Sequence, residues 1–383
     1  MSAPAPRGTS RRRASDAHAL GQRLRDLSVL LVCGSGGVGK TSIAATIAVD
    51  EAMRGRRVCV LTIDPAKRLA QAMGLNQLDD REREVELPAG AKSGGSLHGL
   101  MLDAKTAFER LVVETASTEE ERTRILGNRI YQQLSESTSG MQEYMAIERL
   151  YELDRGGRYD LIVVDTPPAA HARDLLDSPT RALGFLQGRS LRWFLRPGAK
   201  MGRFGLKAVG GSGGPVMSVL ERITGGQMLR DTTEFFEAME GTYDQITDRI
   251  KVVERMFASP DTGFLAVTSP ERESVDQAVA FWLLLEERGY RFVGTVVNRV
   301  EPLAPQRITA IGELDSLAGI DESLAARIVA AQIDHAALAG RDRSRLDELA
   351  DATGDALTIS VPRLARVVND LDGLRELATY LDA

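Results

Sequence analysis

The chain has 383 residues, with 48 basic against 54 acidic side chains and 43% hydrophobic residues. That length accommodates one large α/β domain with an insertion, or two domains. The mild acidic excess argues against nucleic acid as a partner, and no apolar run approaches the roughly twenty residues needed to span a bilayer. The two cysteines, Cys33 and Cys59, each lie in an apolar strand-like run, so they read as buried core residues rather than as a disulfide or zinc framework. With no signal-peptide pattern, the expected compartment is the cytoplasm, with peripheral contact with a membrane as the variant.

Residues 1–26 are rich in Pro, Ala, Ser and Gly and carry Arg7, Arg11, Arg12, Arg13, Arg23 and Arg25 against Asp16 and Asp26. They read as a disordered basic tail. The apolar run 27–33 then predicts a strand. It feeds Gly34-Ser35-Gly36-Gly37-Val38-Gly39-Lys40-Thr41, and a helix-forming stretch follows from Thr41-Ser42-Ile43. Strand, loop and helix in that order make a phosphate-binding loop. Its glycines let backbone N–H groups turn in around phosphate oxygens, Lys40 adds a positive charge, and the Thr41 hydroxyl is placed to ligate Mg²⁺. The nucleotide-binding set in this stretch is Gly34, Ser35, Gly36, Gly37, Val38, Gly39, Lys40, Thr41 and Ser42. Gly34-x-Gly36-x-x-Gly39 also satisfies the dinucleotide fingerprint, with Asp64 in the place of the ribose acid. Lys40-Thr41 and a second strand-end acid, Asp165, favour a triphosphate with its metal.

Further strands are predicted at 57–63, 97–102, 159–164, 263–267 and 292–297, and helices at 41–54, 105–115, 140–154, 272–288 and 371–381. Several strands are continuous apolar runs, as expected for parallel strands covered on both faces. The fold class is α/β, a doubly wound and mostly parallel sheet with ligands at the carboxyl ends of its strands. The core divides into 27–177 and 258–383. Between them, 178–257 reads as a helical insertion serving as lid or client-contacting segment. No acid occurs between Asp177 and Glu221, whereas Arg181, Arg189, Arg192, Arg196, Lys200, Arg203 and Lys207 alternate with apolar side chains such as Phe185, Trp193 and Phe204. Contact with an anionic membrane surface is the alternative for this stretch. Phe236, Met239, Tyr243, Ile246, Ile250, Val253 and Phe257 then form one apolar helical stripe. The stripe serves either the protein's own core or a groove for a partner helix.

Asp64 opens Asp64-Pro65-Ala66-Lys67 at a strand end, where a carboxylate can orient or deprotonate the water that attacks a γ-phosphate. A helix N-cap is its structural alternative. Asp165, opening Asp165-Thr166-Pro167-Pro168, suits Mg²⁺, directly or through water. These motifs, with Val296-Val297-Asn298-Arg299, Gly140-Met141-Gln142-Glu143-Tyr144 and Val361-Pro362-Arg363-Leu364, resemble the ArsA-type ATPases over nearly all of the chain from residue 27. That family includes arsenite-efflux ATPases and targeting factors for tail-anchored membrane proteins. The resemblance implies ATP and Mg²⁺ as cofactors, and a dimer that sandwiches two nucleotides and on closing reshapes a surface above the sheet. It also implies Asp64 and Lys40 in catalysis, Thr41 and Asp165 at the metal, Asn298 against adenine, and the 361–364 loop with Pro362 over the base.

The chain departs from the family pattern at three points. Ser35 stands where the family usually has a lysine that reaches the other subunit's phosphates, so the expected assembly is a homodimer or a heterodimer with a paralogue that keeps the lysine. The cysteine cluster of the arsenite-binding members is missing, as are the paired cysteines that hold interfacial zinc in many eukaryotic targeting factors. The resemblance is thus to the bacterial, especially actinobacterial, branch. The function it implies is an ATP-driven switch for a hydrophobic client protein. The alternatives are the catalytic subunit of an anion or metalloid pump, and a non-hydrolysing nucleotide-binding scaffold.

Overall fold

The computed structural model describes residues 20–63, 68–75, 77–129, 131, 139–167, 174–181, 231, 234–235, 237–239, 242–303, 321–354 and 356–381. In chain order, β1 (Val29–Gly34), α1 (Lys40–Met53), β2 (Arg57–Thr62), α2 (Arg68–Ala72), β3 (Arg83–Val85) and β4 (Ser96–Met101) come first. They are followed by α3 (Ala104–Thr115), α4 (Glu119–Leu126), α5 (Ser139–Arg155) and β5 (Leu161–Asp165). After α6 (Tyr243–Phe257) come β6 (Thr262–Thr268), α7 (Arg272–Arg288), β7 (Phe292–Val300), α8 (Glu322–Thr353), β8 (Thr358–Pro362) and α9 (Leu371–Leu381).

The strands form one sheet in the order β3-β4-β2-β5-β1-β6-β7-β8. Every neighbouring pair is parallel except β3 with β4. Strand alternation explains why it must be covered on both sides. Leu30, Val32, Val58, Val60, Leu161 and Val163 join Ile43 and Ile47 of α1 and Leu374 and Leu377 of α9 in one core. Val29, Leu31, Cys33, Cys59, Leu61 and Val164 face the other way, into a core with Leu111 of α3, Leu150 of α5 and Ile250 of α6. The doubly wound α/β class and the expected strands and helices are therefore present.

Two local readings are corrected. The expected tail reaches residue 26, but 20–24 are helical, and Leu20 and Leu24 pack with Leu27 into the first core. Arg23 Nη1 donates to Val293 O at 2.7 Å. The apolar spacing of these leucines gives this short turn a buried face, and the basic residues around them obscured it. Val361 and Pro362 belong to β8 rather than to a loop, and Val361 is fully buried. Not among the predicted elements is α8, a 32-residue helix, about 48 Å long, whose alanines and charges blur any apolar period. Asp321 caps it by accepting from Leu324 N at 2.7 Å.

The apolar stripe before residue 257 serves the protein's own core over its described part. Ile246, Ile250, Val253 and Phe257 are all buried, and Phe257 lies edge-on to Phe264 at 6.0 Å between ring centres. Arg249, on the same helix, pairs with Glu148 of α5 and, at 2.7 Å, with Glu114 of α3. Phe236 and residues 182–230 of the expected insertion lie outside the described residues. Truncating Phe257 to alanine removes a fully buried ring, so the folded state should lose about 3–5 kcal/mol. The denaturant midpoint, at unchanged slope, measures this.

Candidate functional site

The loop between β1 and α1 stands at the sheet's centre because β1 lies between β5 and β6, with Val32 in register with Asp165 and Gly34 with Val267. Close packing dictates two of its glycines. A side chain at Gly34 would put its first carbon 1.9 Å from the Val267 carbonyl oxygen. At Gly39, φ is 99° and an added carbon would lie 2.3 Å from Asn298 Nδ2. Gly39 is also the N-cap of α1, and no side chain caps that helix end. Its first N–H groups and positive dipole end therefore favour an anion.

Several side chains converge there. Lys40 Nζ donates to Ser35 O at 2.8 Å and is 7% exposed. Thr41 Oγ1 donates to Asp165 Oδ2 at 2.8 Å, and Thr62 Oγ1 donates to the same oxygen at 3.1 Å. Thr166 Oγ1 donates to Val32 O at 2.9 Å, joining the start of the Asp165 loop to β1. The predicted metal-side pair, Thr41 and Asp165, is thus brought together from opposite ends of 124 residues of sequence. A hydroxyl and a carboxylate are hard oxygen donors that fit Mg²⁺, an ion that takes one or two protein oxygens plus phosphates and water. The glycine cradle likewise fits phosphate.

Asn298 also reaches the loop. Its Nδ2 donates to Val38 O at 2.7 Å, and its Oδ1 accepts from Arg299 N at 2.9 Å. Arg299 takes φ 63°, a left-handed backbone that is costly for a residue with a side chain, and this lets the asparagine fold back onto the loop. Pro362 ends β8 beside Val300, and Arg363 N donates to Val300 O at 2.9 Å. Pro362 thus sits at the same sheet edge as Asn298. Asp64 lies outside the described residues. Just before it, Ile63 O accepts from Gln142 Nε2 of α5 at 3.0 Å.

Sequence reasoning assigned no role to Thr62, Gln142 or Gln277. Gln142 stood inside a quoted motif and carried that much signal; Gln277 lies in an ordinary amphipathic helix and carried none. Ser35 was read as a phosphate-side residue, yet its hydroxyl turns outward and donates to Gln277 Oε1 of α7 at 2.7 Å. Cys33 and Cys59 are both buried, and burial pushes each thiol up to about 12. Among the described residues no helix is long and apolar enough to cross a membrane.

The chain is similar to several known proteins. A protein of Aquifex aeolicus, provisionally named an arsenical pump-driving ATPase, is 25% identical over 280 residues, 72% of this chain and 64% of its own. An ATPase GET3 of Phaeosphaeria nodorum is 25% identical over 64% of this chain and 68% of its own. An ATPase ASNA1 homolog of Plasmodium chabaudi chabaudi is 26% identical over 73% of this chain and 64% of its own. The chain thus spans about two thirds, or slightly less, of the length of these relatives. The profile of the family described as anion-transporting ATPase, ArsA, matches residues 27–322. With its phosphate loop, strand-end acid and parallel sheet in place, the chain belongs to the ArsA-type ATPase family.

Proposed function

We propose that this chain is a Mg²⁺-dependent ATPase that works as a dimeric switch for a hydrophobic client protein. The observation that carries the ATPase part is the Thr41–Asp165 contact beside Lys40 at the uncapped start of α1. In this reading the backbone N–H groups of the loop grip the β- and γ-phosphates, and Lys40 moves from Ser35 O to the phosphate oxygens. Mg²⁺ supplies charge neutralisation at those oxygens, with Thr41 and Asp165 as the protein groups that hold it. Asp64 orients the attacking water and accepts its proton, and Gln142 steadies the residue before it through Ile63 O. Asn298 and Pro362 stand at the base end, with Asn298 bracing Val38.

Support for the client comes from the relatives named for GET3 and ASNA1, and from the basic and aromatic composition of 178–257. That stretch is rooted in the core by α6 through Arg249. Because Ser35 supplies no cationic group, the partner subunit in this reading is a second copy or a paralogue that keeps a lysine there. Transient membrane contact at delivery follows from the basic stretch.

A second reading, a pump-driving subunit, is favoured by the relative named for an arsenical pump. Metalloid capture by the two cysteines conflicts with their burial and raised pKa, since thiolate is the binding form.

The first test is turnover. Asp64→Asn should lower the ATP hydrolysis rate by roughly 10²–10⁴-fold while leaving nucleotide binding intact. A wild-type protein that binds ATP without turnover would make it a scaffold subunit instead. Asp165→Asn should weaken Mg²⁺ dependence by about 10–100-fold, measured by titrating the metal at fixed ATP. For the client, a hydrophobic segment should co-purify and ATP should change the protease sensitivity of 178–257; neither happening sinks the switch. Native mass measurement after purification from the source cell decides between like and unlike partners. At pH 8 neither thiol should react with Ellman's reagent until the protein unfolds, and arsenite should not stimulate hydrolysis.

A further inference from the structure

The opening turn of the phosphate loop is held from outside the loop. Between Gly34 and Val38, Ser35 is the single residue with a side chain. It is 8% exposed, and its Oγ donates to Gln277 Oε1 at 2.7 Å. Gln277 stands on α7 between Ser274 and Ala278, both buried, and these residues line a small cleft with Gly34, Ser35 and Phe281. The other end of the same amide, Nε2, is turned toward Glu273 Oε1, 3.4 Å away on the preceding helical turn. The carbonyl oxygen is thereby aimed at the serine. On the inner side, Lys40 takes the Ser35 carbonyl.

Glycine-rich chain has many backbone conformations to lose when it closes around a ligand. One half-buried side-chain bond at the only available handle removes part of that loss before the ligand arrives. We infer that Gln277 is a positioning residue for phosphate binding: it sets the Gly34–Gly36 turn through Ser35, whose hydroxyl serves as scaffold and not as ligand. The inference rests on the phosphate-loop reading of residues 34–41. Because the ordered turn is the same for any nucleotide, the effect is uniform across di- and triphosphate.

The test uses the full chain, with Gln277→Leu, Ser35→Ala and the double variant, and Gln277→Met as a second replacement should leucine disturb folding. ADP and ATP affinities with Mg²⁺ are measured by titration calorimetry. Amide hydrogen exchange of the 34–41 peptide is followed without nucleotide, and thermal midpoints are recorded in parallel. A lost hydrogen bond of ordinary strength corresponds to roughly three- to tenfold in affinity. Each single variant should weaken ADP and ATP alike by about that factor and speed exchange in the loop. The double variant should be no weaker than either single one. Wild-type affinity and exchange in Gln277→Leu would overturn the inference, as would effects that multiply in the double variant. A lowered midpoint with affinity and exchange unchanged would assign Gln277 to stability alone and overturn it as well. If the wild-type protein itself binds neither nucleotide, the phosphate-loop reading falls and takes the inference with it; intact wild-type binding with an indifferent Gln277 removes only the inference.

Discussion

The hydrogen bond from Thr41 to Asp165 depends on the whole sheet being threaded as it is. Thr41 opens α1 after β1, and Asp165 closes β5, so the two meet only because β1 and β5 are parallel neighbours in a fixed register. A slip of one residue would reverse the face of every side chain on β5 and carry the carboxylate away from the helix start. The two apolar cores prevent that slip: Val163 must face α1 while Ile162 and Val164 face α5 and α6. The chemistry of the site is thus fixed by hydrophobic alternation several residues below it.

Buried charge locates the flanking helices more narrowly than hydrophobic packing does. Arg249 is shared between Glu148, which is 1% exposed, and Glu114, and it lies over the Tyr151 ring at 5.7 Å. Burial raises the Glu148 carboxyl above its usual range, while Arg249 pulls it back down. Such a pair adds little net stability but penalises any placement of α6 that separates the partners, because an unpaired buried charge is costly. The partner carboxylate stands on α5, the helix whose first turns reach Ile63 through Gln142. One helix therefore touches both the end of β2 and the helix that returns from 178–257.

The sequence was most informative where a residue type had no substitute. Lys40-Thr41 after glycines, and an aspartate ending an apolar strand, each have few structural uses, so the loop and Asp165 could be found without coordinates. Alternation and helical period gave the parallel strands and the helices on both faces for the same reason. Contacts made by ordinary residues were not legible. Nothing in the composition of α7 distinguishes Gln277 from another helical glutamine, and Ser35 was read by its position rather than by the direction of its hydroxyl. Asn298 was singled out for adenine, and its amide here meets Val38 and Arg299, a geometry that a left-handed arginine permits and no motif announces. The helix α8 escaped because many of its residues are exposed, so its sequence carries little apolar period.

Helix α7 carries the loop's outer contact at Gln277 and, roughly three turns later, a second contact at Arg288. Arg288 pairs with Asp177 and donates to Leu176 O at 3.3 Å, within the helical residues 174–181 that lead into 178–257. A helix of this length bends little, so contacts at its two ends are constrained together. Helix α7 thus joins the opening turn of the phosphate loop to the helical residues 174–181 through two side-chain contacts.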